Sequence, residues 1–145
     1  MLSYWYTGKL MYKIIFYKDK NGKSEIEEYI RILQEKGISS KDSRIKVNKI
    51  ISYINQLSIK GLELGEPYLK HLEDEIWELR PLRDRILFTY YDNNNFILLH
   101  SFMKRTQKTP RREIKRALIN LEDYKRRSDK NDWKRINMGR SKKKS

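Results

Sequence analysis

Two short stretches carry residues able to act on a phosphodiester. Arg80, Arg83 and Arg85 bracket a tight turn at 81–84. Lys104, Arg105, Lys108, Arg111 and Arg112 crowd into a stretch that holds no acid. Attack of a ribose 2′-hydroxyl on its neighbouring phosphate builds negative charge on phosphorus, and preorganised guanidinium and ammonium groups stabilise that charge without a metal. On this chemistry Arg80, Arg85, Lys104 and Arg105 are candidates to act on the reacting phosphate, and Arg83, Lys108, Arg111 and Arg112 to hold the strand. Proton transfer needs an acid and a base besides. His100, Tyr90 and Tyr91 have suitable groups, and the residues alone do not choose between them. The plainer alternative for the cluster is a solvated loop with incidental charge. A histidine inside the apolar run 98–102 is more often a structural residue, and Trp77 is more often core than a platform for a base.

The cluster at 104–112 sits where a helix begins. Pro110 suits a first helical turn, and Thr109 just before it reads as the N-cap. Cations at that end oppose the helix dipole, so they lack a structural reason for being there.

Other chemistries are thinly supported. The chain has no cysteine, which removes disulfides, thiolate metal sites and cysteine nucleophiles and fits a reducing cytoplasm. It has two histidines, 29 positions apart, no Gly-rich phosphate loop and no G-x-S-x-G elbow. No metal and no cofactor are expected. No apolar run reaches the roughly 18 residues of a membrane span, and 1–11 lacks the apolar core of a signal peptide. That segment reads as an N-terminal extension, with Met11 an alternative start.

Charge is uneven. The 145 residues carry a formal net charge of +14. Residues 1–103 hold 16 basic and 14 acidic side chains, whereas 104–145 hold 17 and 5. Such a concentrated field points to a polyanionic partner, nucleic acid first and an anionic membrane surface second.

The elements that must position these residues follow from periodicity. Residues 12–17 are β-branched and aromatic and predict a strand. Ser24 and Glu27 form a capping box, opening a helix with Ile26, Tyr29, Ile30 and Leu33 on one face and Gly37 at its end. A second helix begins near 40–43, with Val47, Ile50, Ile51, Ile54 and Leu57 as its stripe, and stops at Gly61. The short link makes the two an antiparallel pair. Strands follow at 75–80, 85–91 and 96–102, the last two joined through an Asp-Asn turn. A closing helix carries Ile114, Ala117, Leu118 and Leu121. Beyond Lys125 the apolar period fades, and 125–145 reads as a basic, disordered tail. The order predicts an α+β domain over 12–124, with the helix pair on one sheet face and the other face partly open to RNA.

The segments Ile76-Trp77-Glu78-Leu79-Arg80, Arg85-Ile86-Leu87-Phe88 and Leu98-Leu99-His100-Ser101-Phe102-Met103-Lys104-Arg105, with Thr109-Pro110, Glu113-Ile114 and Ala117, resemble the HigB-like, phage-derived branch of the RelE/ParE toxins. The stretch 102–117 is the most specific part. The resemblance implies a RelE-like fold with a twisted antiparallel sheet, an N-terminal helix pair and a C-terminal helix. It implies a toxin that cuts mRNA in the ribosomal A site without metal, and a HigA-like helix-turn-helix antitoxin through which operator DNA is bound. Arg80, Arg85 and the Lys104–Arg105 pair match the family's basic positions. The glycines often seen before the strand arginine are missing at Leu82-Arg83-Asp84, and no residue securely matches the C-terminal tyrosine of some members. Three rivals stay open: a ParE-type poison of DNA gyrase, a nucleic-acid-binding protein without catalysis, and a protein-interaction domain with a charged tail. On the nuclease reading, replacing Arg85, or Lys104 with Arg105, should end growth arrest and leave the fold intact.

Overall fold

The computed structural model describes the backbone of residues 11–144 and the side chains of 11–131. Its elements run β1 (Lys13–Phe16), α1 (Glu25–Lys36), α2 (Lys41–Lys60), a 3-10 turn (Gly61–Leu64), β2 (Leu69–Glu73), β3 (Ile76–Leu79), β4 (Asp84–Tyr91), β5 (Asn95–Met103) and α3 (Arg111–Lys144). The class is α+β, as the periodicity predicts.

The helix ends follow the capping rules. Ser24 Oγ accepts from Glu27 N at the start of α1, and Ser40 Oγ accepts from Ser43 N at the start of α2. Each hydroxyl answers one of the N–H groups that a helix start leaves unpaired. Gly61 ends α2 at φ 60°, which a glycine adopts without penalty. A Cβ there would stand 2.7 Å from the Tyr12 ring, so the glycine also makes room for the strand that follows Met11.

The five strands form one sheet in the order β1-β5-β4-β3-β2. β2, β3, β4 and β5 are antiparallel neighbours, but β1 lies parallel to β5, with Lys13 opposite Asn95 and Phe16 opposite Leu98. The sheet is therefore mixed, not antiparallel throughout. It also holds a strand, β2, that the charged stretch Lys70-His71-Leu72-Glu73 hides from a hydropathy pattern.

The two faces are covered separately. Ile26, Ile30 and Leu33 of α1 and Val47, Ile50, Ile54 and Leu57 of α2 pack on Leu79, Ile86, Phe88, Phe96 and Leu98. On the other face Ile114, Ala117 and Leu121 of α3 pack on Ile76, Leu87, Ile97 and Leu99. The closing helix thus lies across the face expected to be partly open. It has apolar side chains to bury, and that face offers the matching apolar row.

α3 continues beyond Lys125, where a disordered tail is expected from composition. Asp123 accepts from Arg126 and Arg127 one turn on, and Arg127 also donates to the carbonyls of Lys18 and Asp19. Tyr17 donates to Asp123 at 2.6 Å. This clasp ties the helix to the end of β1. Among the described residues no helix is long and apolar enough to cross a membrane. The extension at 1–10 lies outside the described residues.

Candidate active site

One irregularity in β5 builds the site. Leu87 pairs with His100, but the next residue, Phe88, pairs with Leu98. Leu99 is the extra residue of a β-bulge. Side chains alternate along a strand, so one inserted residue moves everything after it to the opposite face. Ile97 and Leu99 face α3. Without the bulge His100 and Phe102 would face the helix pair. With it, Phe102 packs in the α3 cluster and His100 Nε2 lies 3.0 Å from Glu113 Oε1 in the first turn of α3. The four apolar residues at 96–99 are buried on both sides, so hydropathy carries no sign of the change.

On β3, Glu78 pairs with Leu87, which places it in the same cross-strand row as His100. Glu78 is only 2% exposed. Its Oε2 accepts a 2.5 Å hydrogen bond from Thr109 Oγ1. Its Oε1 lies 3.4 Å from Arg80 Nε and 3.8 Å from Arg85 Nε. The Arg80 Nε is buried and makes no hydrogen bond among the described residues, so the attraction is Coulombic. Thr109 reads from sequence as the cap of α3; its hydroxyl instead reaches back across to the sheet.

Arg85 is buried, at 7% exposure. Its Nη1 donates to the carbonyls of Leu82 and Asp84, each at 2.8 Å. Burial pushes its guanidinium below the ordinary value and Arg80 adds to that, while Glu78 and Asp84 oppose it. Leu82 sits at φ 56°, a left-handed conformation that a leucine rarely takes. The Arg85 contact to its carbonyl helps hold that strained turn. So Arg85 has contacts that serve the fold as well as any chemistry, and its replacement is expected to weaken the turn. Asp84, the other end of the turn, accepts from Tyr29 at 2.7 Å and lies 3.8 Å from Lys46, joining the turn to the helix pair. Burial raises the Asp84 carboxyl, partly offset by Tyr29, Lys46 and Arg85.

The loop between β5 and α3 carries the remaining cations. Lys104 N donates to Arg83 O at 2.8 Å, and Arg83 Nη2 donates back to Lys104 O at 3.4 Å. Thr106 Oγ1 closes on Lys108 O at 2.7 Å. On one side of this loop lies a cleft of about 1140 Å³ into which Lys70, Arg80, Arg105, Lys108, Arg111 and Arg112 converge. Three carboxylates share it: Glu78, Glu113 and Glu73, the last paired with Arg111. On the loop's other side a shallower hollow is lined by Arg83, Arg85, Lys104 and Arg105. Arg80, Arg85, Lys104, Arg105 and Lys108 meet around a small space beneath the loop itself.

Nine of the ten expected site residues therefore gather at one end of the sheet. Eight of them line one of these hollows, while His100 stands behind Glu113. The tenth, Tyr91, does not join them. It lies at the far end of β4, six residues and roughly 20 Å from Arg85 along the strand, with its ring edge-on to Tyr124 at 5.6 Å. Tyr90 is at that same end, against Tyr12 and Phe96. Trp77 packs at the edge of the helix-pair core and against His71, with ring centroids 4.7 Å apart. Glu78 and Glu113 are site residues that composition does not single out. The readable sign is a carboxylate between Trp77 and Leu79, where the strand pattern offers no solvent. Among the described residues no group of three His, Asp or Glu gathers as a metal site requires.

A site of this shape can bind a chain of phosphates, hold one of them between guanidinium and ammonium groups, and offer carboxylate and imidazole for proton transfer. A comparison with protein families matches residues 36–122 to the family described as phage derived protein Gp49-like (DUF891). A search of curated proteins finds no match.

Proposed function

The chain belongs to the phage-derived Gp49-like family, which is related to the RelE and HigB toxins, and on that premise we propose that it is the HigB-like toxin of a toxin–antitoxin pair. In this reading it is an endoribonuclease that cuts mRNA on the translating ribosome and is silenced by a helix-turn-helix antitoxin of the HigA kind. The observation that carries the reading is the convergence of Arg80, Arg105, Lys108, Arg111 and Arg112 on one cleft.

The mechanism follows from the charges. Lys70, Arg105, Lys108 and Arg112 draw the RNA backbone into the cleft, an attraction that weakens as salt rises. Arg80 is held at its Nε by Glu78, which leaves its terminal nitrogens for a phosphate oxygen. Arg105 reaches the cleft from the loop, while Lys104 adds its charge from the loop's other side. As the 2′-oxygen gives up its proton and attacks phosphorus, the bond to the 5′-oxygen breaks and that oxygen leaves with a proton. The charge that grows on the phosphate oxygens lies beside Arg80 and Arg105, which cost no reorganisation because they are already in place. Glu113, with His100 behind it, is the proton-transfer pair nearest the cleft, and Tyr91 is too far away to take part. The antitoxin would act by covering this cleft or by pulling its cations apart.

The test is induction of the wild-type chain and of Lys104→Ala/Arg105→Ala, with primer extension on cellular transcripts. The wild type should arrest growth and leave discrete cuts. The double variant should lose cutting by about 10²–10³-fold, the cost of one charge-stabilising donor, with its thermal midpoint unchanged. Arrest with intact transcripts and trapped DNA breaks would turn the reading to a gyrase poison. RNA retarded on a gel but never cut would reduce it to a binding protein.

A further inference from the structure

Glu78 is the most buried charge of the cleft, and none of the steps above uses it on the substrate. A carboxylate is almost never so deeply buried unless paired, and an apolar side chain in that row would meet Leu87 with no desolvation to overcome. Its two oxygens divide their work. Oε1 faces the Nε atoms of Arg80, just after β3, and Arg85, in β4, and Oε2 takes the hydroxyl of Thr109, from the loop that carries Lys104, Arg105 and Lys108. Two guanidinium groups this close repel each other, and Arg80 has no other partner for its buried Nε among the described residues.

We infer that Glu78 is a positioning residue: one buried carboxylate holds Arg80 and Arg85 side by side and, through Thr109, pins the basic loop over them. The inference rests on the ribonuclease reading. It assigns Glu78 no contact with RNA. It also carries a counter-intuitive electrostatic consequence. Removing a negative charge from a cleft that binds phosphate should strengthen binding, yet should slow cleavage, because the arginines lose the geometry that matches the reacting phosphate.

The decisive variants are Glu78→Gln and Thr109→Val. Glu78→Gln keeps an oxygen for the Thr109 hydroxyl and removes the charge and the acceptor that face the arginines; Thr109→Val keeps the charge and removes only the tether. Each is assayed on mRNA-programmed ribosomes for single-turnover cleavage at saturation, and for affinity toward a 2′-deoxy RNA analogue that cannot be cut. Glu78→Gln should hold the analogue as tightly as wild type or more so, and cleave about 10- to 100-fold more slowly, the cost of a misplacement on the order of 1 Å. Thr109→Val should also slow cleavage, and Thr109→Ser should restore it.

A Glu78→Gln protein that cleaves at the wild-type rate overturns the inference. So does one that loses binding and cleavage together with its thermal midpoint while Thr109→Val cleaves normally, since Glu78 would then be a folding residue alone. Wild-type protein that leaves RNA uncut in the same assay sinks the ribonuclease reading itself, whatever the variants do.

Discussion

Replacing Arg85 by alanine should cost the fold about 3 kcal/mol, the low end of the range for breaking a buried charge pair. The side chain is buried, and it makes two 2.8 Å bonds to carbonyl oxygens and one 3.8 Å approach to Glu78. A hydrogen bond from a charged donor contributes roughly 1.5–3 kcal/mol. The Leu82 carbonyl belongs to an exposed turn, so water recovers most of that bond, whereas Asp84 is buried and recovers little. Glu78 keeps Arg80 and Thr109, so its charge is not wholly abandoned. The sum stays near one strong bond plus part of an ion pair. With a urea slope of about 1.5 kcal/mol/M, the midpoint should fall by roughly 2 M. Arg85→Lys keeps the charge but not the planar fork and should lose about half as much. Arg105→Ala, exposed and without a described ion pair, should stay within about 0.5 kcal/mol of wild type. Equilibrium unfolding of the three variants by far-ultraviolet circular dichroism measures this directly. If Arg85→Ala unfolds within 0.3 M (about 0.5 kcal/mol by the slope above) of wild type, the contacts to the turn do not stabilise it and Arg85 is free to be purely catalytic.

Gly61→Ala should cost about 2 kcal/mol, because φ 60° strains a Cβ that also meets the Tyr12 ring; adding Tyr12→Ala should recover the clash but not the strain, as a thermal-shift cycle would show. Asp123 is held below the ordinary carboxylate value by the Tyr17 hydroxyl and then by Arg127. Its contribution is complete above the unfolded value of 3.8 and is lost as pH falls through the lower folded one. Asp123→Asn should therefore flatten the acid limb of a stability-versus-pH curve below about pH 4, and an unchanged limb would place the acid sensitivity elsewhere. Truncation after Lys130 removes six basic residues and one acid and leaves the Asp123–Arg127 clasp. The thermal midpoint should hold, while the salt dependence of RNA affinity becomes shallower, by about 0.7 for each phosphate that the shorter chain no longer neutralises.

Much of the fold is legible in local chemistry. Ser24, Gly37, Ser40 and Gly61 bound their helices because capping needs only near neighbours. The strand at 85–91 is readable because Ile86 and Phe88 alternate with Arg85 and Leu87. What stays hidden depends on partners distant in the chain. That β1 runs parallel to β5 lies in no local pattern, since Lys13 and Asn95 meet only in the folded sheet. β2 is hidden because an edge strand beside the cleft can carry Lys70 and His71 at little cost. The bulge at Leu99 is silent because residues on both sides of it are buried. In the site, the cations are visible as a cluster, but the carboxylates that order them are not. Glu78 and Glu113 read as ordinary strand and helix residues until the register brings them beside Arg80 and His100. Tyr91 looks available because it ends a strand near charged residues, yet the basic cluster lies at that strand's other end.

The parallel seat of β1 against β5 sets a timetable for the newborn chain. The first strand leaves the ribosome early, but its neighbour is complete only when Met103 has been made, 87 residues after Phe16. At synthesis speeds of about 5–20 residues per second, that is a wait of roughly 4–17 seconds. During it the helix pair has no finished sheet to rest on, and the basic loop has not been joined to α3. The basic loop and the cleft beside it are thus among the last parts of the fold to be assembled.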